Sequence, residues 1–151
     1  MAAKAWYPIF LDVTDRRVVV IGAGKVALRK VRGLVEAGAR VTVIAPRFDP
    51  EFDGLAVERV ERPFEDRDIE GAALVFAATD DRSVNRRAGE MARAAGIPAN
   101  IADQPGECGF IVPARIRRGD LQIAISTSGE DPARAAGIRK KLEEWLDLVR
   151  P

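Results

Sequence analysis

The sequence contains no histidine and only one cysteine, Cys108. Without histidine the chain has no imidazole metal ligand, no Ser-His-Asp triad and no histidine general base, so acid–base chemistry is left to carboxylates, Lys, Tyr, Cys or the substrate itself. A single cysteine cannot form an intramolecular disulfide, and with no histidine beside it a structural zinc site is not expected. We therefore expect a protein of a reducing compartment that has no metal site of its own.

Long hydrophobic runs and an excess charge of one sign are also missing. No apolar stretch is long enough to span a bilayer, and the residues before Trp6 lack the apolar core of a signal peptide. The 24 basic and 23 acidic side chains leave a net charge of +1, which gives no reason to expect nucleic-acid binding. These features predict a cytoplasmic protein of 151 residues with one compact core.

The first two thirds of the chain alternate between apolar runs and amphipathic segments. Helical spacing of apolar residues predicts helices over 25–37 and 81–95. The predicted strands are 17–21, 40–45, 57–60, 73–78 and 98–101. Alternation of this kind is typical of parallel βαβ units, and wholly apolar runs are typical of strands buried on both faces. The sequence therefore predicts a Rossmann-type α/β domain, to which we assign residues 1–112.

After Asp103 the pattern changes to one of a hairpin and a helix. Apolar runs at 110–112 and 121–126 flank a basic segment, and the turn signal Gly119-Asp120 between them predicts an antiparallel hairpin. The pair Asp131-Pro132 combines a good helix cap with a good first helical residue, so a final helix is expected to run to about Leu148. We assign 113–151 to this extension.

The most informative motif is Gly22-Ala23-Gly24-Lys25-Val26-Ala27, which lies between the first predicted strand and helix. In that context the pattern is typical of dinucleotide binding, because Gly22 permits a tight turn, Gly24 lets the backbone approach a pyrophosphate and Ala27 lets the helix pack closely. The N–H groups and dipole at the start of the helix attract phosphates. The alternative is a glycine turn that serves packing alone, and the context favours nucleotide binding.

Ligands of open α/β sheets bind beyond the carboxyl ends of the strands. An NAD fingerprint usually has an acid after the second strand, where this chain has Ala45, Pro46 and Arg47. Arg47 is either a contact for an adenosine phosphate or a solvated loop charge, and both interpretations stay open. Thr79-Asp80-Asp81 follows the fourth strand, and the aspartates there are also typical helix caps.

Asn100 and Asp103 follow the fifth strand. Asp103 is either a turn residue or, beside the expected nicotinamide pocket, a functional carboxylate, and its position favours the second interpretation.

Cys108 is more typical of small-residue packing than of a reactive thiol. Two basic clusters lie further on, and they are either solvated or a docking surface for a polycarboxylate. Their members are Arg115, Arg117, Arg118, Arg134, Arg139, Lys140 and Lys141.

Further motifs occur in the order typical of one enzyme family. They lie at 7–12, 19–30, 38–43, 77–81, 84–85, 100–103, 110–114 and 123–129. As a set they resemble the precorrin-2 dehydrogenases, which form the N-terminal module of sirohaem synthases, and the resemblance covers nearly the whole chain. It implies NAD-dependent oxidation of the tetrapyrrole precorrin-2 to sirohydrochlorin, with Asp103 as the catalytic aspartate. It also implies a homodimer formed through 113–150.

The resemblance places cofactor contacts at Lys25-Val26 and Pro46-Arg47, and the family generally lacks the ribose acid. We expect NAD in preference to NADP. The cofactor-binding candidates are Gly22, Gly24, Lys25, Val26, Ala45, Pro46, Arg47, Thr79, Asp80 and Asn100. The substrate-binding candidates are Arg115, Arg117, Arg118, Thr127, Ser128 and Arg134, with Ser128 standing where relatives often have glycine.

Two alternatives remain open. One is a bifunctional dehydrogenase and ferrochelatase, for which we expect weak or absent iron insertion because no histidine or thiolate cluster can hold the metal. The other is a nucleotide-sensing regulatory domain without catalysis. Such sensors usually keep an acid at the end of the second strand, and this chain has none there.

Overall fold

The computed structural model describes residues 4–149, which form two compact units. Residues 9–110 make up the first unit, and 111–149 together with the described residues before Ile9 make up the second. Among the residues described, every helix is too short or too polar to cross a bilayer.

The first unit is built around a five-stranded parallel sheet with the strand order β3-β2-β1-β4-β5. Its elements are β1 (Arg17–Ile21), α1 (Lys25–Glu36), β2 (Arg40–Ile44), β3 (Glu58–Val60), β4 (Leu74–Ala77), α2 (Arg82–Ala94) and β5 (Ala99–Ile101). Short 3-10 turns lie at Pro50–Phe52, Asp66–Ile69 and Pro105–Glu107. The predicted Rossmann-type α/β fold is confirmed.

The order of the strands decides where a ligand can bind. The chain moves outward from β1 to β2 and β3, and then returns to place β4 on the other side of β1. In open parallel sheets the crevice at the carboxyl ends of the strands, where this reversal occurs, is the ligand-binding position. The residues that follow Ile21, Ala77 and Ile101 therefore lie at the functional edge.

The core of the first unit explains why these elements form. Val18, Val19 and Val20 of the central strand are fully buried, as expected for a parallel strand covered on both faces. One face of α1 is apolar and packs into the same core through Ala27, Val31 and Leu34, which recur at helical spacing.

The second unit contains a hairpin of β6 (Ala114–Arg118) and β7 (Leu121–Ile125), followed by α3 (Pro132–Leu148). The predicted turn at Gly119-Asp120 and the start of the helix at Pro132 are confirmed. The Asp131 side chain caps α3 by accepting a hydrogen bond from the Arg134 N–H at 2.8 Å.

The predicted first strand of the hairpin, 110–112, is wrong. A two-residue turn at Gly119-Asp120 pairs Arg118 with Leu121, so the strand must run back directly from the turn through the basic segment. That segment alternates outward arginines with the buried Ile116, which is itself a strand pattern. Phe110 belongs instead to the first unit, where its ring meets Phe76 edge to face at 5.2 Å.

A half-buried ion pair anchors the turn that leads into β4. The Arg62 guanidinium donates to both carboxylate oxygens of Asp68, at 2.5 and 2.8 Å, and the Glu65 N–H donates to the same carboxylate at 2.8 Å. Arg17 at the start of β1 donates to the backbone carbonyls of Asp68 and Glu70. The Arg62–Asp68 pair holds the turn, and the Arg17 bonds connect that turn to the central strand β1.

Replacing this carboxylate should weaken folding in a pH-dependent manner. The hydrogen bonds from Arg62 hold the pKa of Asp68 below its usual value, so the charged form stabilises the fold above the usual pKa and this contribution is lost as the pH falls through the lowered value. We expect Asp68→Asn to lower the free energy of unfolding at pH 7 by about 1–3 kcal/mol, measured by urea denaturation. The difference from the wild type should shrink in acid.

The matched control is Asp66→Asn in the same turn. Asp66 pairs with Arg87 at 2.7 Å, and both side chains are exposed, so the loss should stay below about 1 kcal/mol. Equal losses for the two variants would contradict the role assigned to the Arg62 pair.

Candidate functional site

The turn after β1 requires glycine at its first position. Gly22 has φ +103°, and a Cβ added there would lie 2.4 Å from the Ala78 carbonyl oxygen. Its N–H donates to the Ile44 carbonyl at 2.8 Å. The turn is thus packed between the carboxyl ends of β2 and β4, and no side chain fits at this point.

The start of α1 is open in a way that suits a phosphate. Gly24 is its N-cap, with extended backbone, and an added Cβ would have no neighbour within 4 Å. By contrast, the side chains of Asp81 and Asp131 cap α2 and α3. No acidic residue lies in the first turn of α1. Its N–H groups and dipole therefore face open space without a side-chain acceptor, which fits the pyrophosphate of a dinucleotide.

The loop after β2 carries no carboxylate for a ribose at the expected position. Ala45 is buried, whereas Pro46 and Arg47 are exposed. The next acid along the chain, Asp49, uses its side chain to accept from the Glu51 N–H at 2.9 Å, and its own N–H donates to the Ala23 carbonyl at 3.0 Å. This loop is therefore tied to the glycine turn, with Arg47 accessible to a ligand.

Asp103 lies at the end of a hydrogen-bond chain that begins at β4. The Asn85 side chain on α2 accepts from the Thr79 N–H and hydroxyl at 3.0 and 2.8 Å, and donates to the Thr79 carbonyl at 3.0 Å. The same amide donates to Asp103 Oδ1 at 3.0 Å. Thr79 in turn borders Gly22, since its backbone nitrogen would lie 3.0 Å from a Cβ there. The glycine turn and Asp103 thus share one edge of the sheet.

The second oxygen of Asp103 remains accessible. Asp103 Oδ2 lies 3.7 Å from Arg82 Nε, and the Asp103 side chain is 35% exposed. Arg82 also pairs with Glu107, so its charge is shared between two carboxylates. A carboxylate that is hydrogen-bonded through one oxygen and only in a long ion pair at the other can accept a proton from a substrate.

Asp80 and Asp81 differ in their surroundings. Asp81 caps α2 by accepting from the Ser83 N–H at 2.8 Å and from the Ser83 hydroxyl at 2.6 Å, and these bonds lower its pKa. Asp80 is exposed at the end of β4. Of the two aspartates, Asp81 is therefore the helix cap, and Asp80 remains a cofactor-binding candidate.

Asn100 serves an internal network. Its Oδ1 accepts from Lys30 Nζ at 2.9 Å, and its Nδ2 donates to the Phe110 carbonyl at 3.1 Å. Burial lowers the pKa of Lys30, whose ammonium also lies 5.5 Å from the centre of the Phe76 ring. The Asn100 side chain thus bonds within the protein, and a direct contact between Asn100 and the cofactor stays a prediction.

Cys108 is buried and packs in the same region. The Ile101 N–H donates to its sulfur at 3.2 Å, and its thiol donates to the Ile101 carbonyl at 3.3 Å. This environment agrees with the packing role that the sequence favours. Within residues 4–149 no group of three or more His, Cys, Asp and Glu side chains is arranged to hold a metal ion.

The substrate-binding candidates lie in the second unit. Arg115 and Arg117 project from the exposed face of β6, and Arg134 is exposed in the first turn of α3. Arg118 instead bonds Asp147 on α3 at 2.5 Å. The Thr127 hydroxyl accepts from the Asp131 N–H at 3.1 Å, and Ser128 has φ +59°. Arg115, Arg117 and Arg134 are thus the exposed cations of this set.

Sequence reasoning missed Asn85 and Lys30 as members of the site. A signal for Asn85 was present, because it shares helical spacing with the buried residues Ala88, Gly89 and Ala92. A polar residue on the apolar face of an amphipathic helix must find a polar partner in the core. Lys30 likewise lies next to Val31 on the inner side of α1, where a lysine is uncommon.

Comparison with known proteins identifies the family. Residues 9–114 match the family described as putative NAD(P)-binding, and residues 118–144 match the one described as sirohaem biosynthesis protein central. The siroheme synthase of Thioalkalivibrio sulfidiphilus is 43% identical over 145 residues, which cover 93% of this chain and 30% of the relative. That of Pseudomonas paraeruginosa is 43% identical over 143 residues, covering 92% and 31%. The chain thus spans about a third of the length of these curated relatives.

Among solved structures, that of SirC, precorrin-2 dehydrogenase, superimposes with a TM-score of 0.78 at 27% identity, covering 92% of this chain and 70% of that one. These findings confirm the resemblance to the N-terminal module of sirohaem synthases and the prediction of a nicotinamide dinucleotide as cofactor. The chain belongs to the putative NAD(P)-binding family that matches its residues 9–114, joined to a sirohaem biosynthesis central segment.

Proposed function

We propose that the chain is an NAD-dependent precorrin-2 dehydrogenase, which oxidises precorrin-2 to sirohydrochlorin in sirohaem biosynthesis. The observation that carries the proposal is the hydrogen-bond network that runs from Thr79, beside the glycine turn, through Asn85 to Asp103. It places an accessible carboxylate on the same sheet edge as an uncapped helix start. The likeness to siroheme synthases and to SirC supports this substrate class.

The cofactor supplies the acceptor for a hydride when it is bound. The chain's part is to hold and orient it: the N–H groups at the start of α1, next to Gly24, would bind the pyrophosphate. Lys25 and Val26, both exposed in the first turn, would flank it. Ala45, Pro46 and Arg47 would border the adenosine ribose, and Thr79 and Asp80 would border the other half of the dinucleotide. We propose a preference for NAD over NADP.

Asp103 would receive the proton. Oxidation of precorrin-2 to sirohydrochlorin removes two hydrogens, one leaving as hydride and the other as a proton. With no histidine in the chain, Asp103 is the carboxylate at this edge that a buried amide holds in place, and we assign it as the base. The exposed cations Arg115, Arg117 and Arg134 would bind the peripheral carboxylates of the tetrapyrrole. Arg118, Thr127 and Ser128 would shape the same surface.

The activity is tested directly by mixing the purified protein with precorrin-2 and NAD. Sirohydrochlorin is more conjugated than precorrin-2, so its formation changes the visible spectrum, and the reduced cofactor forms in equal amount. A spectrum that stays that of precorrin-2, with NAD unreduced, would contradict the proposal.

The expected weakness of iron insertion into sirohydrochlorin stays a prediction, as does a cytoplasmic location.

Gly24→Asp should abolish NAD binding while it preserves the fold. The backbone at Gly24 is extended and a Cβ meets nothing there, so any residue fits. An aspartate at an N-cap accepts bonds from the first N–H groups and stabilises a helix by about 1 kcal/mol relative to alanine. The same carboxylate would repel the pyrophosphate. We expect calorimetry to detect no NAD binding and thermal melting to show an unchanged or raised midpoint.

Gly24→Ala is the control, since it adds a methyl group without charge. It should retain more NAD affinity than the aspartate variant. Undiminished NAD affinity in Gly24→Asp would remove the glycine turn from the binding site.

Asp103→Asn should separate binding from turnover. The substitution keeps the shape and the side-chain volume but removes the negative charge that accepts a proton. We expect NAD affinity to stay at the wild-type value and kcat for precorrin-2 oxidation to fall by about a hundredfold or more. Stopped-flow absorbance with saturating NAD measures the rate. A variant that turns over as fast as the wild type would make Asp103 a structural residue.

We also propose that the chain forms a homodimer through its second unit. Several apolar side chains of this unit are exposed, among them Trp145 at 56% and Leu148 at 84%. Leu121 and Ile138 are exposed as well. Exposed apolar surface of this kind is typical of an interface, and a two-fold partner would offer the same surface in return.

Light scattering should therefore give a mass near twice 16.4 kDa at micromolar concentration. Trp145→Glu places a charge in the exposed apolar surface and should shift the mass toward one chain. Lys140→Glu, an exposed polar position on the same helix, is the control and should leave the mass unchanged. A wild-type mass of a single chain would refute the dimer.

A further inference from the structure

We propose that Asn85 is a positioning residue of the reaction, which holds one oxygen of Asp103 so that the other is presented to the substrate. The inference rests on the proposed function, in which Asp103 accepts the proton. Asn85 itself is fully buried, so it acts through Asp103 and not by contact with the substrate.

The hydrogen bonds of Asn85 define a single orientation of its amide. Oδ1 accepts from two donors of Thr79, and Nδ2 donates to the Thr79 carbonyl and to Asp103 Oδ1. Turning the amide over would place its NH₂ against the Thr79 N–H and its oxygen against both the Thr79 carbonyl and the Asp103 carboxylate. The network therefore assigns Nδ2 to Asp103.

The Asn85 amide connects two loops that lie beyond the last paired residues of their strands. β4 and β5 pair up to Ala77 and Ile101, and beyond these residues the two segments continue as loops. Thr79 belongs to the first loop and Asp103 to the second, 18 positions after Asn85. Because α2 packs on both strands, a side chain projecting from its buried face can reach both loops at once.

The two carboxylate oxygens of Asp103 therefore have different chemical roles. Oδ1 is occupied by the Asn85 donor, whereas Oδ2 lies 3.7 Å from Arg82 Nε, a long ion-pair distance, on a side chain that is 35% exposed. A carboxylate fixed in this way cannot rotate freely about its last side-chain bond. Loss of the Asn85 bond would leave the charge in place but would release its orientation, and proton transfer depends on both.

Asn85→Ala removes this bond together with the bonds to Thr79, while Asp103 stays intact. We expect kcat for precorrin-2 oxidation, measured at saturating NAD, to fall by about tenfold to a hundredfold, the scale of a misplaced reacting group. A crystal structure of the variant should show the Asp103 carboxylate rotated or in more than one position. A carboxylate that keeps its place, or a kcat equal to that of the wild type, would overturn the proposal.

A double-mutant cycle distinguishes positioning from a purely structural effect. In an Asp103→Asn background there is no charged oxygen to orient, so adding Asn85→Ala should lower the residual kcat by less than about twofold. A structural role would lower kcat by the same factor in both backgrounds, and that result would overturn the inference. An Asp103→Asn variant as active as the wild type would instead refute the proposed role of Asp103.

Two further variants test whether a loss of kcat in Asn85→Ala comes from misfolding. Asn85→Ser keeps a hydroxyl for one bond to Thr79 but is too short to reach Asp103 as well, and it replaces the alanine variant if that protein does not melt cooperatively. Ser83→Ala is the matched control: it removes a 2.6 Å bond to Asp81 in the first turn of the same helix. Its kcat should equal that of the wild type, and a loss equal to that of the Asn85 variants would count against the proposal.

Discussion

The close approach of Gly22 to the end of β4 is the contact on which the rest of the site depends. The turn hydrogen-bonds to Ile44 on one side and lies against the Ala78 carbonyl on the other. Only a residue with no Cβ, in a left-handed conformation, can occupy that gap. Because the turn is held there, α1 begins directly over the carboxyl edge of the sheet, and its N–H groups face the crevice where the strand order reverses.

The polar groups of this edge fall into two classes. Asn85 bonds to Thr79, Asn100 accepts from Lys30, and none of the described buried side-chain nitrogens and oxygens lacks a partner. Groups buried away from water must be paired in this way. The start of α1, which has no side-chain cap, and Asp103, whose side chain is 35% exposed, are the groups that remain available to a ligand. Aspartates cap α2 and α3, whereas α1 has no side-chain cap, which supports the proposal that a ligand with negative charge binds at its start.

The second unit is stabilised differently. Its core is small: among the residues described, its buried apolar side chains are Ile116 and Ala135, and the bond between Arg118 and Asp147 connects the hairpin to α3. A two-stranded hairpin and one helix bury too little apolar surface to form a large core of their own. Trp145 and Leu148 remain exposed because this core is too small to cover them, and we propose that association with a second chain buries them.

Much of the architecture was determined by the sequence alone, because it depends on local patterns. The apolar runs at β1 and β4, the glycine turn and the Asp131-Pro132 helix start each consist of residues a few positions apart, so each predicts its own structure. The hairpin shows the limit of this reasoning. Its turn was evident, but the first strand was misplaced at 110–112, because the arginines of β6 concealed the alternation that centres on Ile116.

Position at the end of a strand was likewise enough to select Asp103 from the sequence, since parallel strands end at one edge. Which side chains would meet there was decided only by the tertiary structure. Asn85 lies 18 positions from Asp103, and Lys30 lies 70 positions from Asn100. Spacing along a chain carries no information about contacts made across a sheet. Those contacts depend on how α1 and α2 pack against β1, β4 and β5, and this packing is a property of the folded chain as a whole.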